Sequence, residues 1–418
     1  MKITRVQSHL LSYAFPEPIR LTYHGGERTI LKRDALLIRI DTDEGLTGYA
    51  PGQASEKAHA AINTTIASFL EGRALSDRDA LRVLFLDGPG AEPEMAKVYA
   101  AVEVGLYDLW GKAKGVPVSE LIGGRVRDRI RLYGSAGMYM TPEGYAAEAQ
   151  AVAKMGFAAY KMRPGRGPET DLETVRLMRE AAGPDVDLMV DAHTWWRMGD
   201  RSYSRSTVEQ LAEALADYGV AWLEEPLPPD DHEAYRRLRE KDFVPLASGE
   251  HEPSEARFMD LIMNRAVDYV QMDLCCQGGY SAGRRILLEL AREGLGFAFH
   301  SWGTALEVIA AAHLGICWPE AVTGWLEYPC YSSPGRPGMY PFPLASEILK
   351  TPLSILNGDL VVPATPGLGV EVDDTVIERY PWIPGPWSFF RLDSPAETWA
   401  VTSDHSVKWS EKIPESGS

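Results

Sequence analysis

Cysteine is scarce in this chain: four in 418 residues, Cys275, Cys276, Cys317 and Cys330, with no Cys-x-x-Cys pair. That excludes a disulfide framework and a zinc–thiolate site, and it makes a reducing cytoplasm the simpler compartment. Long apolar runs are also missing. No uninterrupted stretch approaches the roughly 18–20 residues that a membrane helix requires. The opening MKITRVQSHLLSYAF alternates like a strand, without the apolar core of about 7–15 residues expected of a secretory leader. Basic residues are outnumbered: Lys and Arg total 42 against 59 Asp and Glu, a net charge of −17. Nucleic acids and anionic membranes select a basic face, so neither is expected as a partner. A small anionic substrate stays compatible, because a bound cation inverts the local charge.

What is present has two textures. Residues 2–11 and 33–42 read as strands, with the turn Asp43-Glu44-Gly45 leading to a third, LTGYA. A helical stretch follows over 94–114, ended by Gly115 and Pro117. From about residue 130 short apolar runs alternate with amphipathic helices. The runs are 131–136, 157–163, 187–193, 220–226, 244–250, 269–273, 296–301 and 324–328, with helical segments near 141–155, 170–182, 206–218, 231–242, 254–265, 281–293 and 304–315 between them. Eight strands alternating with helices mean a parallel sheet with right-handed crossovers, and eight units favour closure into a barrel. The eighth strand has no good helix after it; 329–345 is rich in Pro, Gly and Tyr. The expected fold is therefore α/β: a modified TIM barrel, (β/α)7β, with an α+β capping domain formed by the N-terminal region and the C-terminal tail. The expected units are 1–128 for the cap, 129–350 for the barrel and 351–418 for the returning tail.

In such a barrel the C-terminal strand ends converge on one mouth. Here they carry Lys161-Met162-Arg163, Asp191-Ala192-His193, Glu224-Glu225-Pro226, Gly249-Glu250-His251, Asp273, His300 and Glu327. A core cannot hold so many ionisable groups unpaired. Taken singly, each acid reads as a salt-bridged residue. As acids on three successive strand ends, Asp191, Glu224 and Glu250 form an oxygen-only cluster that suits Mg²⁺. Glu225 rivals Glu224, and strand alternation lets only one of the two face the mouth.

The ordered set Lys-x-Arg, Asp-x-His, Glu-Glu-Pro, Gly-Glu, Asp, His, Glu resembles the enolase superfamily in its mandelate racemase-like branch, as does PGLGVEV at 366–372. The resemblance covers nearly the whole chain. It implies Mg²⁺ held by Asp191, Glu224 and Glu250, a hydrogen-bonded His300–Asp273 dyad, and Glu327 donating a hydrogen bond to a substrate carboxylate. The spacing agrees, with 26 residues from Glu224 to Glu250 and 27 from Asp273 to His300, each one βα step. A metal-bound carboxylate acidifies its α-proton, and a histidine held by an acid suits its removal. His193, two residues past Asp191, is similar to the pattern of acid-sugar dehydratases such as galactonate dehydratase, where a histidine protonates the leaving β-hydroxyl; the alternative is a substrate or loop contact. Many relatives carry Lys-x-Lys at strand two. Arg163 replaces the second lysine and is a poor base, which argues against two-sided racemisation. Arg163 and Lys161 then read as electrostatic contacts, with Lys161 as a base still open.

Substrate contacts are expected from Arg20, Tyr23 and His24 in a polar, glycine-containing lid at 20–26, and from Trp195, Trp196 and Arg197 just past strand three. Gly279-Tyr280-Ser281-Ala282-Gly283 matches a nucleophile elbow, although a helix N-cap at Ser281 is the simpler reading. The leading expectation is a cytoplasmic, homo-oligomeric, Mg²⁺-dependent lyase that dehydrates an aldonate or aldarate to a 2-keto-3-deoxy acid. The alternatives are a racemase, epimerase or cycloisomerase using the same intermediate, a serine hydrolase, and a non-catalytic binder of acid sugars.

Overall fold

The N-terminal alternation runs further than its first eleven residues. In the computed structural model, which describes residues 1–330, 342–392 and 398–400, β1 (Ile3–Tyr23) and β2 (Gly26–Thr42) form one long antiparallel hairpin, with β3 (Thr47–Gly52) on the other side of β2. Pairing breaks between Ala14 and Ile19, where Pro16 and Pro18 have no N–H to give the ladder. It then resumes as far as Tyr23↔Gly26. The segment 20–26, expected as a mobile lid, is thus the strand-paired tip of the hairpin. Arg20 and Thr22 alternate with Leu21 and Tyr23, a period-2 signal that the prolines obscure. The helix Pro93–Lys114 lies on this sheet so closely that a Cβ on Gly48 would stand 2.6 Å from the Gly105 carbonyl oxygen.

The barrel strands are β4 (Arg129–Ser135), β5 (Ala159–Met162), β6 (Asp187–Asp191), β7 (Val220–Glu224), β8 (Leu246–Ser248), β9 (Tyr269–Met272), β10 (Gly296–Phe299) and β11 (Thr323–Pro329). Each pairs in parallel with the next, and β11 returns to β4 through Leu326↔Leu132 to Pro329↔Ser135. A helix follows each of the first seven strands, from Pro142–Lys154 to Ala305–Gly315. Of the Pro- and Gly-rich segment after β11, residues 331–341 lie outside the described residues. The main apolar core lies between the outer faces of the strands and these helices and continues into the cap.

A second, smaller cluster fills the lumen: Tyr133, Ala159, Met189, Trp222, Ala247, Ala298 and Trp325. Three large rings are set against small alanines, so one layer closes without a pore. Because side chains alternate along a strand, the residues two positions further on point the same way. Those are Ser135, Lys161, Asp191, Glu224, Gly249, His300 and Glu327. Filling the lumen with apolar side chains therefore places the charged residues on the next layer, towards the mouth.

The tail returns twice. β12 (Ile355–Leu356) and β13 (Asp359–Val361) form a hairpin whose second strand pairs antiparallel with the start of β4. β14 (Ser388–Leu392) adds to β2, and β15 (Thr398–Ala400) to β14. Residues 401–418 lie outside the described residues. Between these returns, the Gly367–Gly369 stretch is tied to the cap helix by Asp108. One carboxylate oxygen accepts from Leu368 N at 2.8 Å; the other accepts from Tyr49 N at 2.9 Å and Lys112 Nζ at 2.7 Å. Asp108→Ala leaves buried N–H groups on two segments without an acceptor, and should lower the unfolding free energy by about 3 kcal/mol. Urea denaturation checks this; a change below about 1 kcal/mol would mean that water replaces the carboxylate.

Candidate active site

The layer above the lumen is a ring of charge. Lys161 Nζ, fully buried, reaches Glu224 Oε1 at 2.6 Å, Glu327 Oε1 at 3.1 Å and Asp191 Oδ2 at 3.6 Å. One layer out, Arg163 places Nε 3.1 Å from Asp191 and Nη2 3.2 Å from Glu327 and 2.9 Å from Ser135 Oγ. Its guanidinium carbon stands 3.9 Å over the Trp302 ring. His193 Nδ1 is 2.6 Å from Asp191 Oδ1. His300 lies between Asp273 (Nδ1 to Oδ2, 3.4 Å) and Glu250 (Nε2 to Oε2, 2.9 Å). Each of the three expected metal-binding acids thus has a basic partner: His193 and Arg163 for Asp191, Lys161 for Glu224, and His300 for Glu250.

Burial alone would discharge Lys161, but Glu224 and Glu327 hold its ammonium well above the ordinary range. Among these acids alone Lys161 is thus held as the ammonium, a state that donates rather than takes a proton. Glu224 is pushed up to about 8 by burial, against Lys161, and by the neighbouring Asp191, Glu250 and Glu327. Its second oxygen accepts from Trp222 Nε1 at 3.0 Å and Gln271 Nε2 at 2.7 Å. For Glu327 burial is outweighed by Lys161, His300 and Arg163, which hold it below the usual carboxylate range. It is therefore ionised and accepts, as it does from Ser301 N at 3.1 Å. The expected donation from Glu327 to a substrate oxygen would require it first to take up a proton.

Burial pushes the His193 imidazole down despite Asp191. His300 goes the other way: against burial, Glu250, Glu327 and Asp273 raise it well above the ordinary range. Asp273 is itself oriented by Cys275 N and Cys276 N, both donating to Oδ1, at 3.0 and 3.1 Å.

The Glu-Glu-Pro motif needs a correction. The expectation that Glu225 turns away from the mouth assumed continued strand alternation, but β7 ends at Glu224 and Glu225 has φ +42°. This left-handed residue breaks the period. Both carboxylates lie at the strand end. Glu225 Oε2 is 2.7 Å from His251 Nδ1, and Glu225, Glu250 and His251 each offer a ligand atom within 4.8 Å of the others. The mouth collects six acids (Asp191, Glu224, Glu225, Glu250, Asp273 and Glu327) against three permanent cations (Lys161, Arg163 and Arg197). Glu225 Oε1 is buried and accepts no hydrogen bond among the described residues. An oxygen-rich donor set with excess negative charge fits a hard divalent cation.

The expected substrate contacts fare unevenly. Trp195 and Trp196 are buried, and their indole N–H groups go to Asp171 Oδ2 and the Glu225 carbonyl, both at 3.0 Å; they shape the wall of the mouth and leave no N–H for a ligand. Arg197 stacks on Trp196 at 4.4 Å and meets His251 Nε2 at 2.8 Å. Tyr23 is buried, with its ring stacked on Tyr139 at 5.0 Å. His24 is anchored at the tip, its N donating to the Gly165 carbonyl at 2.6 Å. Arg20 is exposed. Ser281 sits inside the first turn of the helix Gly279–Glu293, whose N-cap is Gly278, and its hydroxyl donates to Glu103. His313 bonds Ser119 N and the Leu368 carbonyl. The elbow motif therefore assembles no serine–histidine pair and is not an N-cap either.

Sequence reasoning missed Asp171. Its buried carboxylate accepts from Gly165 N, Arg166 N, Trp195 Nε1 and Tyr203 Oη at 2.7–3.0 Å and ties together the loops that follow β5 and β6. No motif marks it. Trp302 was findable, two residues past His300.

Two family models match the chain: "Mandelate racemase / muconate lactonizing enzyme, N-terminal domain" over residues 13–123 and "Enolase C-terminal domain-like" over 144–376. The D-galactarolactone cycloisomerase of Agrobacterium fabrum is 28% identical, spanning 91% of this chain and 99% of its own. The D-xylonate dehydratase of Haloferax volcanii is also 28% identical, over 82% of this chain and 85% of its own. The solved structure of the 3,6-anhydro-D-galactonate cycloisomerase from Zobellia galactanivorans superposes with a TM-score of 0.78 at 27% identity, covering 91% of this chain and 99% of that one.

A cation binding these acids competes with protons that these surroundings favour on His300 and Glu224. Adding Mg²⁺ to metal-free protein near neutral pH should release about one proton per chain, read with a pH indicator in weak buffer. Glu250→Gln should reduce the release. Proton uptake, or no change in the wild type, would be incompatible with a cation at this cluster.

Proposed function

The chain belongs to the enolase superfamily, in its mandelate racemase/muconate lactonizing enzyme branch, and on that premise we propose that it dehydrates an acid sugar to a 2-keto-3-deoxy acid. One observation carries the choice of reaction. Two histidines, each held by its own carboxylate, project from the ends of β6 and β10, the third and seventh strands of eight and so opposite each other across the mouth. Elimination needs two proton-handling groups of this kind, one for the α-proton and one for the leaving hydroxyl.

Asp191, Glu224 and Glu250 would hold a Mg²⁺ ion, which when bound draws charge from a substrate carboxylate and so acidifies the adjoining C–H. The rest is work for this chain's residues. Asp273 stands 3.4 Å from Nδ1 of His300, and Nε2, which Glu250 engages at 2.9 Å, would take the α-proton once Glu250 turns to the cation. Asp191 holds Nδ1 of His193 and leaves Nε2 to deliver a proton to the β-hydroxyl as it departs. Burial holds the His193 pKa low, so the imidazole rests mostly neutral near neutral pH. Its imidazolium gives up the proton readily once formed, and dehydration should slow as pH rises above that pKa. Arg163, fixed by Asp191, Glu327 and the Trp302 ring, keeps its charge throughout and offers it to the substrate anion. The buried Trp195 and Trp196, with the hairpin tip, exclude water.

A second reading, cycloisomerisation or epimerisation through the same proton abstraction, is favoured by the Agrobacterium and Zobellia relatives, which carry cycloisomerase names. The products separate the two. Dehydration yields a keto acid lighter than substrate by one water, whereas isomerisation leaves the mass unchanged. In D₂O with a panel of acid sugars and Mg²⁺, the wild type should form keto acid. His193→Ala should cut that rate by about 10²–10⁴ while still exchanging the α-proton, and His300→Asn should abolish both. A wild type that gives only an isomer or a labelled epimer would overturn the dehydratase reading.

A further inference from the structure

Above the catalytic layer the cap carries a charge that no carboxylate neutralises among the described residues. Arg28 on β2 is 3% exposed. Its Nε and Nη2 share the Ser388 hydroxyl, both at 3.3 Å, and Nη1 points at Met138 Sδ at 2.8 Å. The Trp387 and Phe390 rings each stand 4.7 Å from its guanidinium carbon. No carboxylate lies within ion-pair distance of it among the described residues. One hydroxyl, a thioether and two ring faces are thin compensation for a cation with five N–H donors. Met138 lies in the loop just past the end of β4, so this charge faces the mouth side of the barrel.

Arg197, in the loop after β6, is in a similar state. Among the described residues its contacts are the Trp196 ring and a histidine nitrogen, its Nε is buried without a hydrogen-bond acceptor, and no carboxylate lies at ion-pair distance. The loops bring the two guanidiniums together: Tyr139, next to Met138, meets Thr194 Oγ1 at 3.2 Å, three residues before Arg197. Two like charges in a buried setting, each with unused donors, call for an anion between them. A planar carboxylate matches the guanidinium fork.

We propose that Arg28 and Arg197 bind a second carboxylate at the far end of the substrate, so that the acid sugar taken is a dicarboxylate, an aldarate. The assignment rests on the acid-sugar reading above. The first carboxylate sits low in the mouth at the acids and Arg163, and the second lies under the hairpin. A neutral hydroxymethyl end, as in an aldonate, leaves both cations uncompensated, which is how the site discriminates.

The test compares six-carbon aldarates with aldonates of matching configuration, with Mg²⁺ present, in the wild type, Arg28→Met and Arg28→Lys. The wild type should prefer aldarates by at least about tenfold in kcat/KM. Arg28→Met should reduce that preference about tenfold or more, mainly through KM, with Arg28→Lys intermediate. In the ligand-free protein Arg28→Met should leave Tm unchanged or raise it, because it removes an unpaired buried charge. A structural role through Ser388 and the rings would lower Tm and reduce both substrate classes alike. That result, or equal use of both classes by the wild type, would overturn the proposal, as would a preference for aldonates phosphorylated at the far end. If no acid sugar is turned over, the proposed function fails, and the binding arm still decides this inference. Thermal stabilisation of the wild type by aldarates beyond aldonates, lost in Arg28→Met, supports it; equal stabilisation overturns it.

Discussion

One constraint governs the site: a ring of carboxylates in a closed barrel cannot stay charged without cations set among them. The apolar lumen layer of Tyr133, Trp222 and Trp325 against three alanines offers no polar partner below. The acids two residues on must therefore find partners sideways or above. Lys161 sits under three of them, Arg163 spans two, and each histidine takes an acid of its own. The same shortage of positive charge that makes the cluster suitable for a divalent cation also sets the proton affinities of His300 and Glu224. Suitability for a cation and the proton affinities of these groups are therefore two aspects of one charge balance.

The cap serves this balance by closing it off. Its hairpin carries Tyr23 onto Tyr139 and His24 onto the Gly165 carbonyl, so its tip rests on the loops that follow β4 and β5. Asp171 fixes the loops after β5 and β6 from below. The tail strand β14 flanks the hairpin and supplies Ser388 and Phe390 to Arg28. Residues 360 apart in sequence thus meet over the mouth, where exclusion of water would strengthen the charge interactions beneath.

Much of this was legible from the residues alone. Eight apolar runs with helices between them point to the barrel, because a parallel sheet covered by helices buries strands that are apolar on both faces and eight such units favour closure. Acids and histidines at successive strand ends specify the mouth, because an apolar lumen has no place for them lower down. The reach of β1 was less clear: Pro16 and Pro18 interrupt the alternation, and the polar residues that follow look like a loop until β2 pairs with them.

The sequence determined the architecture and the cast of the site, since periodicity and the cost of burying charge act locally along each strand. Tertiary structure decided the roles. Glu225 joins the mouth because one left-handed residue ends the alternation at β7. Glu327 is ionised because Lys161 and Arg163 arrive from another strand. Trp195 packs inward because Asp171, 24 residues away, takes its N–H. Arg28 has no mark in the sequence at all; its unpaired charge exists only where β2, β14 and the loop after β4 converge. Pairing between charges depends on distances in space, and no spacing along the chain encodes those until the barrel closes.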